Sequence, residues 1–473
     1  MSKVFSIEDF RRGLDTRRTP LTAPGGSVRI LENAVVNPGG EIEKRLAFVQ
    51  TTSYPMVPTP WCMIGQYLTL HVFGCPTGPA IPAGTTPCPI VSHNLADPGE
   101  AIVRYLDVET YGANFYVVGQ GASGLTYHWY NGALVMDASG TAPVRGTYVR
   151  TYKTKMYRAQ DLQLGFSGVG DPSDNNPSST AHPGAGFIET ALNDPDAEPV
   201  LALEVFYNNM AVFSRLATQV WKLDPDPGLD ELAQVLRTGT VAPHSVWQFS
   251  TGDVLYLSDS GIRSLKTQTV NALAAVSDVG APLDMIIAPI VRLNPGLASQ
   301  ARAVIQPMFG RYWLHINGTI YVLSYFPAGE ITAWSTFTVP FIVASFAIIG
   351  GNIAVQDTNG NLYFYGGPSR EEYDSTRVVV RTPHHDADKP TENKRIQSID
   401  VMCEGPWSVS MGMLPNNTDA FELAANINNN TFGLMSIPFA GYGTHFAVHL
   451  EHAAPGPALL AAIHVNTQPG VTK

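Results

Sequence analysis

The chain has 473 residues, of which 44% are hydrophobic and 15% charged, and it contains 43 Gly and 36 Pro. Soluble domains usually have about 25% charged residues, so this turn-rich composition argues against long amphipathic helices, coiled coils and wholesale disorder and favours many short strands. The net charge of −11 provides no general basic surface for phosphates, which argues against a tight, sequence-reading nucleic-acid binder.

The first part of the chain, residues 1–55, is predicted to form an irregular arm with the first short strands. Its opening residues lack the apolar segment of a signal peptide. Four cysteines occur without a C-x-x-C pair, so we predict mostly free thiols in a reducing compartment. A disulfide within residues 74–89 is the alternative.

A recurring pattern dominates residues 56–374, in which an apolar run, a tight turn and a second run with Trp or Tyr follow one another. Hairpins of this kind begin near residues 68, 115, 156, 210, 254, 311 and 353. A spacing of roughly 40 to 50 residues is typical of β-propeller blades. We therefore predict an all-β chain with a propeller-like domain of about six blades, although a long sandwich could mimic the pattern.

Two insertions are predicted to interrupt the propeller as extended loops, near residues 74–99 and 168–198, because both are rich in Pro and polar residues. The longest apolar run, residues 339–355, contains Pro and Gly and is predicted to form two buried strands and a turn rather than a membrane span. Residues 375–473 are predicted to form a smaller C-terminal β-sandwich domain.

Two strings resemble chemical motifs. Gly119, Gly121 and Gly124 fit the dinucleotide-binding glycine pattern, but strand-like residues follow where a helix is needed, so we predict a hairpin loop. His384 and His385 could ligate a metal with nearby aspartates, but adjacent side chains on a strand point to opposite faces. We predict a solvated loop there, and no cofactor, metal or catalytic residue anywhere in the chain.

Acidic residues are concentrated between residues 159 and 235, a segment that contains twelve acidic and two basic residues. Several lie in Asp-Pro turns, which favours side-chain-capped turns over calcium loops because the register of a calcium loop is missing. The acidic residues singled out for a possible functional role are Asp171, Asp174, Asp194, Asp196, Glu198, Asp224 and Asp226.

Short blocks spread from about residue 5 to 410 carry a family resemblance. They are FRRGLDTR (10–17), GEIEKR (40–45), GAGFI (184–188), GTVAPHSV (239–246), LSDSGIRSL (257–265), RYW (311–313), AWS (333–335) and KRI (394–396), which leads to Glu404 and Gly405. In this order they resemble the tail nozzle proteins of short-tailed bacteriophages, also called tail tubular protein B.

The resemblance implies a non-enzymatic structural protein of the virion tail, made in the bacterial host cytoplasm and built on propeller-like domains. It implies a homohexameric ring below the portal and the adaptor protein, extending the channel for DNA ejection, with tail fibres as further candidate partners. Double-stranded DNA would pass without specific binding, because phosphate contacts would retard it.

Two site hypotheses follow from that reading. The acidic residues named above line or rim the channel, or else they form a solvated outer loop. The basic residues Arg11, Arg12, Arg17 and Arg18 contact a neighbouring subunit or the ring above. The competing function is a tail-associated carbohydrate-active enzyme or a sugar-binding propeller, which would need aromatic platforms and a carboxylate pair.

Overall fold

The computed structural model describes residues 3–51, 61–74, 88–192, 194, 196–250, 252–267, 274–432 and 436–469. Seven short strands lie in the first fifty residues: β1 (Lys3–Ile7), β2 (Gly13–Leu14), β3 (Ser27–Val28), β4 (Ile30–Glu32), β5 (Ala34–Val36), β6 (Ile42–Lys44) and β7 (Phe48–Gln50). These strands do not form a sheet of their own, since they are distributed among sheets built from later parts of the chain.

Seven small sheets follow in chain order and are numbered here as blades 1 to 7. Blade 1 contains β8 (Cys62–Gln66), β9 (Thr69–Phe73) and β10 (Ile90–His93); blade 2 contains β11 (Ile102–Tyr111), β12 (Asn114–Gly121), β13 (Thr126–Tyr130) and β14 (Ala133–Leu134); and blade 3 contains β15 (Tyr148–Tyr152), β16 (Lys155–Gln160), β17 (Gln163–Phe166) and β18 (Gly186–Glu189). Blade 4 contains β19 (Ala202–Phe206), β20 (Asn209–Phe213), β21 (Thr218–Lys222) and β22 (Glu231–Leu236), and blade 5 contains β23 (Trp247–Ser250), β24 (Asp253–Ser258), β25 (Gly261–Thr267) and β26 (Ala274–Ser277). Blade 6 contains β27 (Arg302–Gln306), β28 (Arg311–Ile316), β29 (Thr319–Phe326) and β30 (Ile331–Thr338), and blade 7 contains β31 (Val343–Ile349), β32 (Asn352–Asp357) and β33 (Leu362–Tyr365).

Two helices, α1 (Asp284–Leu293) and α2 (Pro295–Ser299), lie between blades 5 and 6. Short 3₁₀ turns occur at Thr190–Leu192, Pro227–Leu229, Pro243–Ser245, Ala281–Leu283, Pro307–Phe309 and Pro327–Gly329. Neither α-helix is long and apolar enough to span a membrane, and the same holds for every helix in the described part of the chain.

The blades form a closed ring. Their first strands contact one another in the order β8, β11, β15, β19, β23, β27 and β31, and β31 contacts β8 again. β7, from the beginning of the chain, pairs antiparallel with β33 and supplies the fourth strand of blade 7. A small sheet cannot bury both faces alone, so stacking around the ring provides the core that each blade lacks.

The predicted all-β propeller fold is confirmed, and the ring has seven blades where about six were expected. Each predicted hairpin start corresponds to the second strand of one blade, from β9 near residue 68 to β32 near residue 353. The prediction for residues 339–355 is also confirmed, because β31 and β32 are joined there by the turn at Gly350 and Gly351.

Both predicted loop insertions contain a strand that the sequence did not signal. β10 lies within 74–99 and pairs parallel to β9, which a long returning connection makes possible. β18 lies within 168–198 and completes blade 3 by pairing with β17. Phe187 of β18 is 60% exposed, so this edge strand lacks the buried alternation by which strands are recognised.

The last hundred residues form a two-layered structure together with the first strands. Its later strands are β34 (Val378–Arg381), β35 (Lys394–Glu404), β36 (Trp407–Gly412), β37 (Glu422–Ile427), β38 (Ile437–Gly443), β39 (Ala447–His452) and β40 (Leu459–Pro469). One layer has the order β38-β35-β40-β6-β5, with β1 also on β40, and the other has the order β4-β34-β39-β36-β37. Both chain ends therefore build the sandwich.

One hydrophobic core joins the sandwich to the propeller. It contains Ile399 and Leu450 from the two sandwich layers, Ile287 from α1, and Leu257 and Leu314 from blades 5 and 6. The sheet of blade 6 also continues into the sandwich, because β30 pairs with β4. The sandwich is thus fixed to one side of the ring.

Candidate functional site

The acidic residues singled out from the sequence lie at two ends of the blades. Asp171 and Asp174 lie in the connection from β17 to β18, and Asp224 and Asp226 lie in the equivalent connection from β21 to β22. These connections join the third and fourth strands of neighbouring blades, so they lie on the same face of the ring. Asp194, Asp196 and Glu198 follow β18 and lie at its opposite end.

Side-chain capping of turns accounts for the Asp-Pro segments. Asp171 Oδ1 accepts from the Ser173 backbone N–H at 2.8 Å, Asp224 Oδ1 from that of Asp226 at 3.0 Å, and Asp226 Oδ1 from that of Gly228 at 3.0 Å. These are the hydrogen bonds of Asx turns. The turn interpretation is therefore confirmed for these residues.

On the opposite face of the ring, the Asp194 carboxylate is paired with an arginine. Asp194 is 1% exposed, and both of its oxygens accept from Arg237 Nη1 at 2.9 Å. Asp196 is exposed and Glu198 half-buried. Because Asp194 is buried and paired, it contributes little free negative charge to any surface.

The four arginines predicted to form an interface, Arg11, Arg12, Arg17 and Arg18, all have exposed side chains. Arg11 forms an ion pair with Asp9 at 3.3 Å, and Arg17 forms one with the buried Asp15 at 2.7 Å. The pKa of the Asp15 carboxyl is lowered, because hydrogen bonds from Arg17 outweigh the opposing effect of burial. Arg17 is therefore part of the fold, whereas Arg11, Arg12 and Arg18 present charge to the surroundings.

A concentration of buried charge lies on the axis of the propeller. An axial cavity of about 490 Å³ is lined by residues from the first strand of every blade. None of the acidic residues and none of the arginines discussed above belongs to its described lining. Its charged residues are Asp107, Glu109, Arg150, Glu204 and Arg302.

Strand register explains why these side chains meet. Glu109, Arg150 and Glu204 occupy the same position in three consecutive blades, two residues before the end of β11, β15 and β19. The equivalent residues of blades 7 and 1 are Ala347 and Ile64. One side of the axial cavity is therefore charged, and the other side is apolar.

A single guanidinium holds three carboxylates in this cavity. Arg150 Nη1 lies 3.4 Å from Asp107 Oδ2 and 3.5 Å from Glu109 Oε2, and its Nε lies 3.5 Å from Glu204 Oε2. Each carboxylate also accepts from the backbone N–H of the next residue, at 3.0 Å in every case. The carboxylates are thus fixed in orientation, and the cluster of four groups carries excess negative charge.

The environment of the cluster disfavours that charge. Burial raises the pKa of the Glu109 carboxyl to about 7, against the opposing effect of Arg150. Burial likewise raises the pKa values of Asp107 and Glu204. Perturbed carboxyls in a cavity are typical of functional sites, although structural ion-pair networks also perturb pKa values.

A second cavity of about 520 Å³ adjoins the first on the side of α1 and α2, and both share Tyr105, Leu106, His244 and Arg302 in their linings. We call it the helix-side cavity. It adds Arg104 and Arg215, and Asp259 is the one acidic residue in its described lining. Asp259 pairs with Arg215 at 3.5 Å, so the charge of this cavity is positive overall.

Other candidate positions have structural roles. Gly119 and Gly121 end β12 and Gly124 lies in the turn before β13, as predicted for a hairpin. The predicted solvated loop at His384 is wrong, because His384 is 5% exposed and His385 forms a bridge with Phe446. The chain passes here beneath the arm, where Phe5 contacts the ring of His385 with centroids 5.0 Å apart.

Cys62 and Cys403 are buried free thiols, and burial raises their pKa values, so neither is activated as a nucleophile. Cys75, which the disulfide alternative requires, lies outside the described residues. No group of three or more His, Cys, Asp or Glu residues with metal-binding geometry occurs among the residues that the structure covers.

The sequence analysis missed the axial cluster. Its members are separated by up to about one hundred residues, and single charges in apolar strands resemble ordinary surface positions. A usable signal was present, however: a charged residue two positions before the hairpin in each of three consecutive repeats. Aligning the repeats on their hairpins would have brought Glu109, Arg150 and Glu204 into one column.

No family model and no curated protein matches this sequence. Among solved structures, the chain is similar to BamB from Moraxella catarrhalis (10% identity, TM-score 0.38, 77% of this chain and 97% of that chain). It is also similar to the Pan2 WD40 domain of Neurospora crassa (10%, 0.32, 56% and 75%) and to the computationally designed Ika8 protein (10%, 0.34, 68% and 99%).

Proposed function

We propose that this chain is a structural subunit of the tail of a short-tailed bacteriophage. In this proposal it forms a nozzle ring below the adaptor, and double-stranded DNA leaves through the ring. The subunit supplies a wall and interfaces between subunits, without catalysis or a cofactor. Tail fibres are a further candidate partner at the outer surface.

The observation that carries the proposal is the spatial meeting of the blocks that resemble tail nozzle proteins. Gly13 of the first block pairs with Trp334 of the AWS block. Tyr312 Oη of the RYW block donates to the Ser245 carbonyl at 2.8 Å. Blocks separated by up to about three hundred residues thus form one junction, as expected if the resemblance reflects a shared folded unit.

A further link within the same junction comes from the two central blocks. Thr240 Oγ1 donates to the Leu257 carbonyl at 2.9 Å, so the GTVAPHSV block is joined to the LSDSGIRSL block. The Ser245 side chain in turn accepts from the Leu257 backbone N–H at 3.0 Å. Polar residues of these blocks are therefore used for internal hydrogen bonds, which suits a structural role better than a catalytic one.

The bore of one propeller is too small for the DNA channel. Its axial cavity of about 490 Å³ is crossed by the Arg150 cluster, whereas the major groove of a duplex alone is about 12 Å wide. DNA must therefore pass through a central opening surrounded by several subunits. On this proposal the face with Asp171, Asp174, Asp224 and Asp226 contributes to the lining of that opening.

Two measurements test the proposal. Light scattering of the purified chain, alone and with the adaptor protein of the same phage, should detect a ring-sized oligomer or a stable complex. Negative-stain microscopy of particles with an antibody to this chain should place the label on the tail. A chain that stays monomeric, does not bind the adaptor and is absent from particles would contradict the proposal. Cleavage of host polysaccharide by the isolated chain would instead favour a carbohydrate-active enzyme.

A further inference from the structure

The axial cavity and the adjoining helix-side cavity share four lining residues and together form one site with two layers of charged groups. Glu109, Arg150 and Glu204 lie two residues before the ends of their strands, whereas Asp107, Tyr148 and Arg302 lie four residues before the ends of β11, β15 and β27. Two residues of a strand rise about 7 Å. The first layer therefore has two carboxylates and one guanidinium. The second layer, about one short hydrocarbon chain away, contains the Arg302 guanidinium and the Asp107 carboxylate, whose oxygens already accept from Arg150 and from two backbone N–H groups.

The second layer holds two polar groups without protein partners. Tyr148 is 3% exposed, and its hydroxyl has no hydrogen-bond partner in the described structure. The charges nearest to that hydroxyl include Asp107 and Arg302, so it faces the axial site. Arg302 is half-buried and lines both cavities, and within the described residues its guanidinium makes no hydrogen bond or ion pair. A buried hydroxyl without a partner is energetically unfavourable, so the Tyr148 hydroxyl beside this guanidinium indicates a missing acceptor.

The first layer, in contrast, has acceptor oxygens that lack a donor. The carboxylates of Glu109 and Glu204 share the donors of Arg150 and of their neighbouring backbone amides, so oxygen lone pairs remain for a further donor. Between the layers, Val108 and Ala303 lie three residues before the ends of β11 and β27, line the axial cavity and provide apolar surface. The site thus offers acceptors at one end, apolar contact in the middle and donors at the other end.

We propose that the axial site binds a linear zwitterion, with its ammonium group among the carboxylates of Glu109 and Glu204 and its carboxylate on Arg302 and Tyr148. The hydrocarbon part of the ligand lies along Val108 and Ala303. A metal ion suits this site less well, because no metal-binding group of side chains occurs among the described residues. The site is distinct from the proposed nozzle function, since it lies within one subunit.

Calorimetric titration of the full chain with 6-aminohexanoate tests the proposal. The matched probes are hexanoate, which lacks the amine, hexylamine, which lacks the acid, and glycine, which is too short to reach both layers. We expect 6-aminohexanoate to bind at least about tenfold more tightly than each of the three, because each loses a charge-assisted hydrogen bond at one end. No binding of 6-aminohexanoate, or equal binding of glycine, would overturn the proposal.

Two substitutions assign the acidic end of the ligand. Arg302→Met should weaken 6-aminohexanoate binding about 10- to 100-fold, whereas Arg292→Met, at an exposed arginine of α1, should leave it unchanged. Tyr148→Phe should weaken binding without lowering the unfolding temperature of the free chain, because its hydroxyl has no partner there. Unchanged binding in both site variants would refute the assignment, and Tyr148→Phe remains informative if Arg302→Met does not fold.

Discussion

At the scale of single residues, Glu109 is the clearest case of a charge that the fold disfavours. Its pKa is raised by burial from 4.5 to about 7, so the folded state prefers the protonated carboxyl. The stability that this preference provides is present below pH 4.5 and is lost as the pH rises through about 7. Glu109→Gln should therefore match the native chain in stability near pH 4.5 and exceed it at pH 8, on the order of 1–3 kcal/mol.

Chemical denaturation at several pH values between 4.5 and 8 measures this difference. The control is Glu231→Gln, because Glu231 is 65% exposed and pairs only with the exposed Lys222. Its stability difference should show no comparable rise with pH. A Glu109→Gln variant that is less stable than the native chain at pH 8 would show that the contact with Arg150 outweighs the burial of the charge.

At the scale of elements, Gly13 joins the N-terminal arm to blade 6. Its φ is +57°, and a Cβ at this position would lie 2.6 Å from the Trp334 carbonyl oxygen. Gly13→Ala should therefore destabilise the fold by about 2 kcal/mol or more, since a left-handed backbone and a backbone clash act together. Gly25→Ala is the matched control in the same arm, because no atom lies within 4 Å of its added Cβ. Equal unfolding midpoints for both variants would contradict the importance of this junction.

Local sequence patterns predicted the hairpins, but they could not predict which distant strands pair. Asn317 and Gly318 both have positive φ, at 51° and 76°, and an Asn-Gly pair between apolar runs signals such a turn because both residues tolerate this backbone conformation. In contrast, β7 pairs with β33 about three hundred residues away, and no residue of β7 identifies its partner. The site was missed for the same reason, since the charges of its cluster come together only when the ring closes.

At the scale of the whole molecule, the two chain ends are part of the same folded unit, which changes how the proposed interface must be tested. Phe10 is fully buried and Leu14 is 4% exposed in the core that joins the sandwich to the propeller. Deleting residues 1–20 would remove these core residues, so lost assembly in the deletion variant would report unfolding. Surface substitutions in the arm separate the interface from the fold.

The triple variant Arg11→Ser, Arg12→Ser and Arg18→Ser makes that separation, with Arg17 left intact because it pairs with buried Asp15. The exposed ion pair of Arg11 contributes little to the stability of the fold. The free energy of unfolding should therefore change by less than about 0.5 kcal/mol. If the arm contacts a neighbouring subunit or the adaptor, light scattering should show weaker association, most clearly at low salt. The control replaces three exposed basic residues elsewhere with Ser: Lys222, Arg292 and Arg395. Equal association of both variants would exclude the arm from the interface, whereas a selective loss in the arm variant would show that contact charges, and not net charge alone, hold the subunits together.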